Sequence, residues 1–96
     1  MDMTQPEALL QRKIQAALKA SGAFVFKVHG NALMMAGLPD IIGCYRGRFI
    51  AVEVKMPGKN PTKVQERIMQ KIKDAGGRAI CAHSVDEALE VLKVYR

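Results

Sequence analysis

The spacing of apolar residues along the chain changes several times, and each change marks the boundary of a predicted helix or strand. Apolar residues recur every three or four positions in the predicted helices, whereas β-branched and aromatic residues form short runs in the predicted strands. Turns that contain glycine separate many of these segments. The predicted order is α, β, β, β, α, β, α. The helices are predicted over residues 4–20, 62–75 and from 84 onward, and the strands over 23–29, 41–45, 49–54 and 78–83.

The second and third strands are predicted to pair as an antiparallel hairpin, because a tight turn at Arg46-Gly47 lies between them. The helix before the last strand is long enough to serve as a crossover between parallel strands. We therefore expect an α/β fold with a mixed central sheet that is flanked by helices. In the second helix, the apolar seam is predicted to consist of Val64, Ile68 and Ile72, with Met69 beside it.

Three charged residues stand at the open end of this hairpin. Asp40 precedes the first of its strands, while Glu53 and Lys55 end the second and project from the same side of the sheet. Pairing of the strands should bring Asp40 close to the other two. Two carboxylates are suitable ligands for Mg²⁺, and a nearby ammonium can orient water or stabilise negative charge on a phosphate. The alternative is a salt bridge at the end of a strand, which is common for an isolated Glu-x-Lys pair.

These residues carry a resemblance to a known family. Pro39-Asp40 followed by Glu53-Val54-Lys55 resembles the PD-(D/E)xK nuclease signature. Together with Gly37, Gly47 and Gln65, the pattern is similar to the virus-type replication-repair nuclease (VRR-NUC) family, from about Glu7 to the last helix. The resemblance implies a restriction-endonuclease-like core with the order αβββαβ(α), formed as a single domain over residues 1–96.

The resemblance also assigns roles to residues. Asp40 and Glu53 would hold Mg²⁺ or Mn²⁺, with the Val54 carbonyl as a further ligand, and Lys55 would position or activate the attacking water. The family also has an acidic residue in the first helix and a glutamine after the hairpin at its active site. The positions that match are Glu7 and Gln65.

Both of these last two residues have a structural alternative as helix caps. Glu7 follows Thr4 by three positions, and Gln65 follows Thr62 by three, which is the spacing of a capping box. Glu7 also falls on the same helix face as the apolar stripe of Leu10 and Ile14, so its side chain can point inward instead. The sequence leaves the two interpretations open at each position.

The charge of the chain indicates a polyanionic partner. Fifteen Lys and Arg residues against nine Asp and Glu give a net charge of +6. Lys63, Arg67 and Lys71 recur every four residues along the second helix and form a basic stripe, which is either a solvated helix face or a surface for phosphates. The candidates for binding nucleic acid are Lys27, Lys59, Lys63, Arg67 and Lys71.

The remaining features suggest a small cytoplasmic protein. No apolar run is long enough to span a bilayer, the polar N-terminus does not resemble a signal peptide, and the family resemblance implies a bacterial or phage origin. Cys44 and Cys81 are expected to be buried, reduced thiols. The adjacent Met34 and Met35 are expected to cap the core, although packing on a partner subunit or against nucleic acid is an alternative.

Together these observations predict a metal-dependent, structure-specific DNA endonuclease. The stand-alone members of the family that this chain resembles are similar to Holliday-junction resolvases, which implies a homodimer acting on branched DNA. One alternative is a basic nucleic-acid-binding module without catalysis, in which Asp40, Glu53 and Lys55 form only a salt-bridge cluster. Another is a nuclease with the same site that acts on RNA.

Overall fold

The computed structural model of the protein describes residues 6–30 and 34–93. The predicted order of helices and strands is confirmed, and the last helix ends in a short 3₁₀ turn. The predicted cap Thr4 lies outside the described residues. No helix in the described ranges is long and apolar enough to cross a membrane. The elements are α1 (Pro6–Ala20), β1 (Phe24–Lys27), β2 (Ile41–Tyr45), β3 (Arg48–Val54), α2 (Lys63–Asp74), β4 (Arg78–Ala82), α3 (Val85–Leu89) and the 3₁₀ turn η1 (Glu90–Leu92).

The four strands form one mixed sheet in the order β1-β2-β3-β4, as predicted. The first three strands are antiparallel to their neighbours, and β4 lies parallel to β3 after the α2 crossover. The hairpin turn has positive φ angles at Arg46 (50°) and Gly47 (80°), which matches the right-handed twist of paired strands. Gly43 allows β1 to approach β2, because a Cβ atom there would lie 1.9 Å from the Phe24 carbonyl oxygen.

The main core lies between the sheet and the helices α1 and α3. Alternation along β3 places Ile50, Val52 and Val54 on this side, where they pack with Ile14 and Leu18 of α1. Each such side chain contributes roughly 1.5–3 kcal/mol when it is fully buried. This packing holds β3 firmly, and the carboxyl end of β3 is where the candidate site begins.

The opposite side of the sheet is covered only in part, because α2 packs mainly over β4. Met69 and Ile72 pack there against Ala51. The predicted seam of α2 was therefore wrong at Val64, which is 41% exposed and lies against the loop at Gly37.

Two further expectations are corrected by the structure. Cys44 is exposed and Cys81 is half-buried, so the expectation of two buried thiols was wrong, although both are free. Met34 and Met35 are also exposed and do not cap the core. Their alternative role, packing on a partner or against nucleic acid, stays a prediction.

Candidate active site

The open end of the hairpin brings Asp40 against the end of β3. One Asp40 carboxylate oxygen, Oδ2, accepts a hydrogen bond of 2.8 Å from the Val54 amide. On the other side, the Asp40 carbonyl accepts a hydrogen bond of 2.8 Å from the Val28 amide. The two adjacent segments of backbone therefore fix both the position of Asp40 and the direction of its carboxylate.

Glu53 lies in the centre of the sheet, between β2 and β4, and only 2% of it is exposed. Its Oε2 accepts a hydrogen bond of 3.0 Å from Gln65 Nε2 and lies 3.8 Å from Lys55 Nζ. Its Oε1 is buried and has no hydrogen-bond partner among the described residues. An orphaned buried carboxylate oxygen is costly, and it indicates that a ligand completes this site.

The environment of Glu53 changes its acidity strongly. Burial raises the pKa of Glu53 from 4.5 to about 8, the negative charge of Asp40 adds to the rise, and the positive charge of Lys55 opposes it. The carboxyl group of Glu53 therefore holds a proton near neutral pH. A divalent cation, if held by Asp40 and Glu53, would favour the ionised form of Glu53 and would give its free oxygen a partner.

The donors that are present fit a hard, oxygen-preferring cation. No group of three His, Cys, Asp or Glu side chains that could hold a metal lies together in the described ranges. The site therefore offers a carboxylate pair instead of a closed cage. Mg²⁺ is typically bound in this way, by one or two carboxylates with waters and substrate phosphates as the other ligands.

Gln65 forms the predicted cap of α2 and also contacts Glu53, while its role in catalysis stays a prediction. Its side-chain Oε1 accepts a hydrogen bond of 2.8 Å from the Thr62 backbone N–H. Its backbone N–H donates to Thr62 Oγ1 at 3.2 Å, and the two bonds form the capping box of α2. Because the carbonyl end of the side chain is held by the cap, the Nε2 end points at Glu53. The cap thus orients the donor that contacts the buried carboxylate.

Glu7 occupies the first turn of α1 and is half-buried. Its charge is the smallest of the influences that raise the pKa of Glu53, so it lies within electrostatic reach of the site. It does not form a three-carboxylate cluster with Asp40 and Glu53. Its role as an assisting ligand stays a prediction, and its capping partner Thr4 lies outside the described residues.

Gln11, which was not among the predicted site residues, pairs with Lys27 at the same end of the sheet. Lys27 Nζ donates a hydrogen bond of 2.6 Å to Oε1 of Gln11, which is only 5% exposed. Lys27 pairs with Ile41, so it lies next to the strand that begins after Asp40. The signal was available, because Gln11 has the helical spacing of the buried Ile14 and Leu18 and is polar where the stripe is apolar.

The basic residues of the β3–α2 region are exposed, and one of them is anchored through its backbone. His83 places Nε2 2.8 Å from the Lys59 carbonyl and Nδ1 2.9 Å from Glu87 Oε1. Both neighbours are acceptors, and they raise the pKa of His83, the carbonyl contact more than Glu87. This contact holds the loop that leads into α2. The stripe side chains that extend from α2 into solvent are Lys63, Arg67 and Lys71.

A mixed sheet that presents an Asp, a Glu and a Lys at the open end of its central hairpin defines a nuclease domain of the PD-(D/E)xK type. The chain belongs to the archaeal Holliday junction resolvase (hjc) family, whose family model matches residues 7–94. It is also similar in fold to a solved structure described as a VRR_NUC domain, with a TM-score of 0.76 and 22% sequence identity. That match covers 97% of this chain and 100% of the other. No curated protein matches the chain. The predicted VRR-NUC fold is thereby confirmed.

Proposed function

We propose that this protein is a metal-dependent endonuclease that hydrolyses phosphodiester bonds in branched DNA in the cytoplasm. The observation that carries the proposal is the buried Glu53 carboxylate, which has one oxygen without a hydrogen-bond partner among the described residues and lies beside both Asp40 and Lys55. A structural salt bridge does not need a second carboxylate that raises the pKa of the first. Burying a carboxylate beside a second one costs free energy, and a site that binds a cation explains why the protein bears this cost.

Each residue of the site has a separate proposed role. Asp40 and Glu53 would hold Mg²⁺ or Mn²⁺, with the Val54 carbonyl and Glu7 as further candidates. Such a cation, when bound, lowers the pKa of a water and offsets negative charge on a phosphate. Lys55, whose side chain is 20% exposed, can orient the attacking water and stabilise the charge that develops on the phosphate. Gln65 holds the Glu53 carboxylate in one orientation.

The proposed substrate follows from the family and from the charge of the surface. The matching family is described as one of Holliday junction resolvases, which act on branched DNA. The basic stripe of α2 offers contacts to backbone phosphates, which are independent of base sequence. The side chains proposed to contact the backbone are Lys27, Lys59, Lys63, Arg67 and Lys71.

The test is cleavage of a synthetic four-way DNA junction by the purified protein in Mg²⁺, with EDTA as the control. We expect cleavage only with the metal, binding of the junction in both conditions, and heat release when Mn²⁺ is titrated into the free protein. Binding without cleavage and without any heat from Mn²⁺ would instead support the non-catalytic binding module. Faster cleavage of a matched RNA junction would assign the activity to RNA.

The uncovered side of the sheet supports the proposal that two copies associate. We define the apolar face as Phe24, Phe26, Met35, Ile42 and Phe49, which adjoin a groove of about 350 Å³ beside α2. The three phenylalanines are 70%, 48% and 44% exposed and Met35 is 64% exposed.

We propose a second copy of this chain as the occupant of the apolar face. The three phenylalanines and Met35 leave on the order of 400 Å² of apolar surface in contact with water. Such a patch is within the range of the largest patches on monomers, and it is about half of what each partner buries in a stable complex. A two-fold dimer would cover this face and would present two active sites to a branched substrate.

Replacing Phe24 and Phe26 with serine should convert the dimer into a monomer. The change removes two rings, 6.0 Å apart, from the proposed interface while leaving the main core intact. Light scattering after size exclusion should give twice the 10.6 kDa chain mass for the wild type and the chain mass for the variant. Leu9→Ser is the matched control, because Leu9 is 44% exposed on α1. A monomeric wild type, or a variant that stays dimeric, would rule out this interface.

A further inference from the structure

A positively charged site lies at the turn end of the hairpin, far from Asp40 and Glu53. A cavity of about 180 Å³ opens there, and three arginines line it: Arg46, Arg48 and Arg78. We call this cavity the arginine pocket. Its other lining residues are apolar or aromatic, and none of those described is acidic. The described lining residues would therefore offer a polar ligand positive charge.

The sheet itself brings the three guanidinium groups together. Arg48 pairs with Tyr45 across the hairpin, and Arg78 pairs with Ile50 across the parallel strands. Because Arg48 and Ile50 are two residues apart on β3, all four side chains belong to the same side of the sheet. Arg46 joins them from the turn.

Two of these arginines have little to stabilise them within the chain. Arg46 lies over the ring of Tyr45, 5.2 Å from its centre, and its backbone adopts a positive φ that favours Gly, Asn or Asp. Neither Arg46 nor Arg48 forms an ion pair with a carboxylate in the part of the chain that the structure describes. Arg78 is anchored, since its Nη2 donates to the Glu90 carbonyl at 3.2 Å. Arg46 and Arg48 place two like charges at one cavity, and an anion between them would relieve their repulsion.

We propose that the arginine pocket binds a backbone phosphate of a nucleic-acid segment other than the one held at Asp40 and Glu53. This inference rests on the proposed function. Guanidinium groups match phosphate oxygens in geometry and can donate two hydrogen bonds to each group. A water molecule occupies about 30 Å³ in the liquid, so the pocket has room for a phosphate together with several waters.

The position of the pocket favours a branched nucleic acid over a single linear duplex. From Glu53 to Arg48 the chain runs five residues along β3, which corresponds to about 17 Å. The two residues also project from opposite sides of the sheet, because five is an odd number of steps along a strand. A DNA duplex seated on the α2 side at Glu53 thus leaves the pocket to a second segment, as in a branched molecule whose arms diverge.

The experiment compares binding of a four-way DNA junction and of a linear duplex of the same length, in EDTA and at several salt concentrations. The test variant carries Arg46→Gln and Arg48→Gln, both exposed positions, so the fold should be retained. We expect its affinity for the junction to fall about tenfold and the slope of log affinity against log salt to become shallower by about 1 to 2. Its affinity for the linear duplex should stay within about twofold of the wild type.

The matched control carries Lys63→Gln and Arg67→Gln in the basic stripe, and it should weaken binding of both ligands. An unchanged affinity of the pocket variant for the junction, or an equal loss on the two ligands, would overturn the proposal. Cleavage of the junction by the wild type in Mg²⁺ separates this failure from that of the proposed function. A wild type that cleaves while the pocket variant binds normally refutes the pocket alone. A junction-selective loss without wild-type cleavage supports the pocket and refutes the nuclease.

Discussion

Asp40→Asn should abolish the cleavage of a four-way junction in Mg²⁺, with the rate falling by about 10²–10³-fold or more. The substitution keeps the size of the side chain and an oxygen that can accept from the Val54 amide, so the local fold should survive. What it removes is the negative charge of one of the two carboxylates. Rates are measured at saturating protein with a labelled junction, and junction binding is measured in parallel in EDTA.

Lys55→Gln should lower the cleavage rate to a similar extent by a different route. The amide is polar but carries no charge, so it cannot offset the negative charge that develops on the phosphate. Because Asp40 and Glu53 remain, Mn²⁺ should still bind in calorimetry. Lys19→Gln, which removes a lysine from the exposed last turn of α1, serves as the control for loss of one positive charge. Undiminished cleavage in either Asp40→Asn or Lys55→Gln would exclude this assignment of the site.

The metal-free protein should become less stable as the pH rises from about 5 to about 8. The pKa of Glu53 is about 8 in the folded state and near 4.5 in the unfolded state, so in this window only the folded state holds the proton. The stabilisation is complete below pH 4.5 and is lost as the pH passes the folded pKa. Because proton binding is linked to folding, the free energy of unfolding falls by at most about 1.4 kcal/mol for each pH unit, or about 5 kcal/mol in total.

Urea unfolding in EDTA at several pH values measures this effect, and Glu53→Gln isolates it. The glutamine is neutral at every pH, so the free energy of unfolding of the variant should lack the decline and should exceed that of the wild type at pH 8. Other titrating groups, such as His83, act on both proteins and cancel in the difference. Added Mg²⁺ at pH 8 should stabilise the wild type alone. Parallel pH profiles for the two proteins would contradict the elevated pKa of Glu53.

The central part of this site was predictable because short-range geometry determines it. A tight turn at Arg46-Gly47 sets the register of the hairpin, and the register places Asp40 beside Glu53 whatever the rest of the chain does. The period of two along a strand then directs the carboxylate of Glu53 to one side of the sheet. The proximity of Asp40 to Glu53 could therefore be inferred from sequence alone.

The other parts depend on tertiary packing, which local patterns do not encode. The alternation in β1 separates Phe24 and Phe26 from Val25 but does not say which side α1 will cover. In the structure α1 covers the Val25 side, and α2 on the other side lies over β4, which leaves the two phenylalanines exposed. The pairing of Lys27 with Gln11 likewise joins residues sixteen positions apart through the docking of α1 on the sheet.

The capping box of α2 has a consequence that reaches beyond the helix. A single amide side chain, that of Gln65, both completes the helix start at Thr62 and touches the buried Glu53. Fraying of that first turn would release the carboxylate, and loss of the carboxylate contact would loosen the turn. Thr62 is exposed and lies nine positions after Glu53, yet a substitution there would disturb the buried carboxylate through Gln65. The substitutions that this surface position tolerates are thus limited by the hydrogen bond between Gln65 and Glu53.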